Sequence, residues 1–154
     1  MLDMKLFFKD VLKKDGFKKR GNTFYKKTDN EVYFVIHIQK SQWSDSYFLN
    51  IGIKYNDIED AFDLWNEKKV EWDSTDFMIR LGETITDDIS ELRSILLGGI
   101  PNNKDENFYT HIYDYIKEFF NDHKTKELFK LRHKIYLNLP NIGITKELGE
   151  YCEN

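Results

Sequence analysis

Two runs near the middle of the chain, VYFVIHIQK (32–40) and YFLNIGIKY (47–55), are apolar at every second position, the period of strands that bury one face. TFYKKTDN upstream pairs with the first run as a hairpin, with Asp29 and Asn30 at its tip as residues that tolerate turn geometry. WSDS is the next connection, and DFMIRLGE, where Phe77, Ile79 and Leu81 alternate, makes a fourth strand. The flanking sequence changes to a helical period. Met4, Phe7, Phe8, Val11 and Leu12 share one side of a helix over 3–15, which Gly16 ends with Phe17 folded back on the last turn. Ile58, Ala61, Phe62 and Trp65 predict a short helix or ordered excursion from Asp57 to about Lys69. Thr86, Asp87 and Asp88 start a helix striped by Ile89, Leu92 and Leu96, which Gly98 and Gly99 stop before Pro101.

The longest helix runs from Asp105 to Asp122. Phe108, Ile112, Tyr115 and Phe119 form one row and Tyr109, Tyr113, Ile116 and Phe120 another, so it is apolar over a wide arc. Thr125 caps a further helix that uses Leu128, Leu131 and Ile135; LNLPNIG is a loop, and TKELGEYCE a last short helix. One leading helix, then strands, then helices argue for an α+β fold. The expectation is an antiparallel sheet of about four strands with the helices mainly on one face. A single domain over 1–154 divides into a helix (1–16), a sheet-rich part (17–85) and a helical part (86–154).

A four-residue WSDS loop sets Gln42 opposite Tyr47, and the ladder then pairs Ile38 with Ile51, Ile36 with Ile53 and Phe34 with Tyr55. All three pairs are apolar, so this face carries the core. The opposite face places Gln39 beside Asn50, His37 beside Gly52, Val35 beside Lys54 and Ser41 beside Phe48, with Arg80 joining if the fourth strand belongs to the sheet. Polar residues replace the β-branched ones a sheet favours. A shallow recognition surface over Tyr33, His37, Gln39, Ser41, Phe48, Asn50, Gly52, Lys54 and Arg80 is therefore the candidate site, with Gly52 leaving a dent beside His37. An ordinary solvated face gives the same pattern.

Composition narrows the chemistry. Twelve Phe, nine Tyr and three Trp against one Ala require a core of large rings. The one cysteine, Cys152, excludes an internal disulfide and a cysteine-based zinc site. Four scattered histidines and the lack of HExxH, P-loop or GxGxxG patterns give no metal or cofactor expectation. Charged residues in the first segment and the lack of a long apolar run predict a soluble, cytoplasmic protein with no membrane partner. The net charge of −4 hides a division. Residues 1–27 hold nine basic and three acidic side chains, whereas 57–91 hold twelve acidic and three basic ones. The basic stretch suits phosphates, and the acidic stretch suits a basic partner captured by electrostatic steering.

GFKKRGNTFYKK running into VIHIQKSQWSDSYFLNIGI, with the later IRLGE, resembles the bacterial domain of unknown function 4304 family. Gly16, Phe17, Gln39, Ser41, Trp43, Asn50 and Gly52 carry the resemblance over roughly residues 3–85, with Arg80 a looser match. It supports the strand order and implies no activity or catalytic set. The leading functional expectation is a non-enzymatic module that binds another protein, in its sharpest form an immunity-type factor whose acidic segment Asp57 to Glu91 meets a basic toxin. The alternative is a small-ligand binder or enzyme on the polar face, with His37 as general base and Gln39, Asn50 and Arg80 orienting an anion. The third is single-stranded RNA binding on Tyr33, Phe48 and Phe24 beside Lys26 and Lys54, which the acidic pI of 5.6 disfavours.

Overall fold

The computed structural model describes residues 2–60, 65–66, 68–85, 87 and 89–154. Among the described residues five α-helices are set by their ends as much as by their stripes. Helix α1 (Met4–Lys14) starts where the Asp3 side chain accepts from the Leu6 N–H. It stops in a Schellman turn: the Phe17 N–H donates to the Leu12 carbonyl, the Gly16 N–H to that of Lys13, and Gly16 takes φ +91°. Ser90, Asp105, Thr125 and Thr145 cap α2 (Glu91–Gly98), α3 (Glu106–Asp122), α4 (Lys126–Leu137) and α5 (Lys146–Glu153) in the same way. Helix α2 thus begins later than its sequence suggests, and Ile89 is exposed rather than part of its stripe. Thr86 and Asp88 lie outside the described residues, as do Ala61 and Phe62 of the expected Asp57 to Lys69 helix.

The sheet is antiparallel and has seven strands rather than about four. They are β1 (Lys18–Arg20), β2 (Thr23–Lys27), β3 (Val32–Lys40), β4 (Ser46–Tyr55), β5 (Phe77–Arg80), β6 (Ile100–Pro101) and β7 (Gly143–Ile144). Their order is β1-β2-β3-β4-β5-β7, and β6 pairs with β4. The additional strands β1, β6 and β7 are two or three residues long, too short to show a period in sequence. The last two come from the helical part, so both parts share one sheet.

The β3–β4 ladder pairs Ile38 with Leu49, Ile36 with Ile51 and Phe34 with Ile53, two residues away from the expected register. The closing pair is Lys40 with Tyr47, not Gln42 with Tyr47, because Ser41 to Asp45 make the turn. A slip of two keeps every side chain on its face. Phe34, Ile36, Ile38, Ile51, Ile53, Phe77 and Ile79 accordingly join one buried cluster with Met4, Phe8 and Leu12 of α1 and Tyr109, Ile112, Ile116 and Phe120 of α3. Phe34 and Phe120 stack with ring centroids 4.2 Å apart. Helix α4 buries Phe129, His133 and Tyr136 instead of the expected leucine row, leaving Leu131 and Ile135 exposed.

Candidate binding cleft

The second sheet face is not open along its length. The chain leaving β4 folds back over it through a 3₁₀ helix (Trp72–Ser74). Trp65 packs on Tyr33 at 5.0 Å between centroids, and Trp72 lies parallel to the His37 ring at 6.5 Å. Gly52 makes this approach feasible, since a Cβ there would stand 2.6 Å from Thr75 Oγ1 and 2.7 Å from the Trp72 carbonyl oxygen. The dent expected beside His37 is therefore filled by the chain itself.

Lys54 is likewise interior, 4% exposed, with all three of its ammonium hydrogens directed to acceptors. They go to the carbonyls of Tyr55 and Ile58 and to Asp76 Oδ2 at 3.0 Å. Asp76, 2% exposed, also accepts from the Tyr55 N–H and from the Thr145 hydroxyl. Burial raises its carboxyl above the usual carboxylate range, with Lys54 pulling the other way. Such a fully satisfied pair fixes β4, the start of β5 and the cap of α5 together. It is cemented structure, not a ligand contact.

What stays open is the end of the face past Trp72. A cleft of about 440 Å³ lies there, lined by Gln39, Asn50, Trp72, Met78, Arg80, Glu83 and Asn141 among others. Strand register brings the polar set together, because His37 and Arg80 flank Asn50 as its cross-strand partners. Asn50 is buried, and its Nδ2 donates to Gln39 Oε1 at 3.0 Å and contacts His37 Nδ1 at 3.4 Å. Arg80 Nη2 also donates to Gln39 Oε1, at 3.4 Å, and its guanidinium carbon sits 3.9 Å from the Phe48 ring centroid. A cation–π contact of this kind restrains the guanidinium. No carboxylate pairs with it among the described residues.

Of the nine sequence candidates, Gln39, Asn50 and Arg80 line this cleft. Phe48 supports Arg80 from beneath, and His37 backs Asn50 without lining the cleft. Burial lowers the His37 pKa against the opposing charge of Asp73, so the ring is neutral at pH 7 and serves as a spacer between Asn50 and Trp72. Tyr33, Gly52 and Lys54 are covered, and Ser41 belongs to the β3–β4 turn, where its Oγ accepts from the Trp43 N–H. With Phe24, Tyr33 and Lys54 all buried, the residues considered for RNA do not form an exposed stacking surface. Trp72, Glu83 and Asn141 were not among the candidates. Trp72 had a signal, an aromatic inside an acidic stretch; Asn141, at φ +62° in a loop, had none.

The molecule is thus an α+β protein with an antiparallel sheet, helices on one face and a polar cleft at the end of the other. It belongs to the family described as domain of unknown function (DUF4304), whose model matches residues 8–123. That match extends past the sequence motifs through α2 and α3. No curated protein and no solved structure matches the chain. Among the described residues no helix is long and apolar enough to cross a membrane, and no cluster of His, Cys, Asp or Glu could hold a metal ion.

Proposed function

We propose that this protein binds a small anion, a carboxylate or phosphate compound, in the cleft beside Asn50. Arg80 is its charge partner, and the side-chain N–H groups of Gln39 and Asn141 orient it, with Asn50 holding the Gln39 amide in place through its own Nδ2. One observation supports this above the others: a guanidinium lying over the Phe48 ring, without a carboxylate partner among the described residues, borders a cleft of ligand size. Arginine presents paired N–H groups whose spacing matches both kinds of anion. Glu83 on the same rim disfavours large polyanions and favours a compact ligand.

Titration of the full chain with succinate and with inorganic phosphate, followed by two-dimensional NMR, tests the reading. Saturable shifts are expected at Gln39, Asn50 and Arg80 with one of the two anions. Arg80→Ala should weaken binding by roughly tenfold to a hundredfold, as loss of a charged hydrogen bond of about 1.5–3 kcal/mol implies. No shift at millimolar anion, or equal shifts in the variant, overturns it.

The protein-binding reading, with an immunity-type factor as its sharper form, rests on a different observation. Trp43 is 92% exposed at the tip of the β3–β4 turn. The turn is held by Lys40, whose ammonium bonds the Ser44 carbonyl and Asp45, and by contacts of Ser44 Oγ with the Ser41 and Ser46 hydroxyls. An exposed tryptophan on a braced turn is the kind of residue that anchors an interface. The acidic segment supplies less free charge than its composition suggests, since Asp76 is buried with Lys54 and Asp57 pairs with Lys126.

A further inference from the structure

A second cleft lies on the other side of the sheet, where the end of α1 and the β2–β3 turn meet the C-terminal half of α3. Its volume is about 370 Å³. The floor is aromatic: Phe34 and Phe120 stack at 4.2 Å, and Phe17 lies 6.2 Å from Phe120. Lysines stand around it. Lys26 already donates to the Asp15 carbonyl at 2.7 Å, and Lys117 keeps only an exposed contact with Asp114 at 3.3 Å while lying 5.0 Å from the Tyr113 ring. Lys124 is exposed and has no carboxylate partner among the described residues. Lys26 keeps its charge but shares its side of the cleft with Asp15 and Asp29, so the net positive charge lies on the α3 side.

Tyr113 supplies the independent observation. It lines the cleft and is 7% exposed, yet its hydroxyl has no hydrogen-bond partner among the described residues. Buried polar groups in native proteins are nearly always paired, and an orphan is a cost that calls for a reason. A ligand group that shifts the ring enough to reach its buried oxygen would provide one. Asp15 and Asp29 also line the hairpin side, which disfavours a track for a long polyanion and favours a single anionic group turned toward α3.

We propose that this cleft is a ligand site, separate from the Arg80 cleft, for a small organic anion with a flat aromatic body. The ring lies on Phe17, Phe34 and Phe120, the anionic group meets Lys117 and Lys124, and the Tyr113 hydroxyl gains its missing partner. The anion is a carboxylate or a phosphate, and two probes separate these sources: indole acetate and adenosine monophosphate, with neutral indole and adenosine as controls.

Each probe is titrated into the full chain and followed by two-dimensional NMR. The expected result is saturable shifts at Phe34, Tyr113 and Phe120 with one anionic probe, weakened about tenfold for its neutral control and in a Lys117→Ala, Lys124→Ala double variant. Tyr113→Phe should weaken binding several-fold while its melting temperature equals or exceeds that of the parent, because the substitution removes an orphaned hydroxyl. Arg80→Ala should leave this binding unchanged, so failure here and failure of the Arg80 cleft are told apart. Absence of shifts with both anions at millimolar concentration overturns the site, as does equal affinity in the lysine variant or loss of binding in Arg80→Ala.

Discussion

A methyl group added to Gly52 would meet Thr75 Oγ1 at 2.6 Å and the Trp72 carbonyl at 2.7 Å, so this residue sets how closely the returning chain packs on the sheet. Gly52→Ala should push the 3₁₀ helix away from β4, at a cost of about 1–3 kcal/mol, the usual range for overpacking a tight site. Chemical denaturation reads that loss, and a stability equal to the parent would mean the turn can back off freely. Sequence alone marks Gly52 as unusual, because a glycine inside an apolar strand asks for an explanation. It does not say whether the missing side chain leaves a space or admits another segment. Lys54 was hidden for a related reason: lysine is rarely buried, and its partner Asp76 lies 22 residues away with no local spacing to betray the pair. Gln39, Asn50 and Arg80 were legible as one polar set because strand alternation alone put them on one face.

At the level of elements, the faces of strands and the helix ends other than the start of α2 were readable, whereas register and helix rotation were not. The β3–β4 ladder illustrates the first failure. Apolar rows on both strands pair equally well two residues apart, and only the turn, Ser41 to Asp45, decides between them. Helix α4 illustrates the second. Its leucines suggest a buried row, but the face that meets the core is aromatic, and Phe129 packs 4.9 Å from Phe77 and 5.5 Å from Tyr136. Rings bury more area than leucines and win the contest for the core. Leu131 and Ile135 are 77% and 51% exposed as a consequence. Replacing both with Lys should change stability by no more than about 0.5 kcal/mol, whereas Phe129→Ala should cost about 3–5 kcal/mol. Thermal denaturation of the two variants checks this, and unfolding of the double lysine variant would require a different rotation of α4.

Across the whole molecule, three polar ties join segments far apart in sequence. Tyr55 donates to the His123 carbonyl, Lys126 pairs with Asp57, and Thr145 bonds Asp76. The first tie centres on His123, whose surroundings make folding sensitive to acid. Its Nδ1 faces the Phe119 carbonyl at 2.7 Å, which can only accept, so Nδ1 carries the proton and Nε2 accepts from the Tyr136 hydroxyl. The neutral ring thereby clips α3 to α4. Burial lowers its pKa from 6.5 to about 4, with Arg132 adding to that effect and the Phe119 carbonyl and Asp122 opposing it. In the unfolded chain the ring protonates near pH 6.5; in the fold it resists protonation until about pH 4. Between those values the unfolded state binds more protons, so stability is complete above pH 6.5 and declines as pH falls toward 4. The loss from this residue is about 3 kcal/mol, a large share of a typical domain stability of about 5–15 kcal/mol. His37, also lowered by burial, adds in the same direction. Urea denaturation of the parent and of His123→Gln over this pH range separates the contribution, because glutamine does not titrate. The parent should lose stability more steeply than the variant; parallel profiles, or an NMR titration of His123 centred near its ordinary value, would show that the ring is not held neutral by the fold.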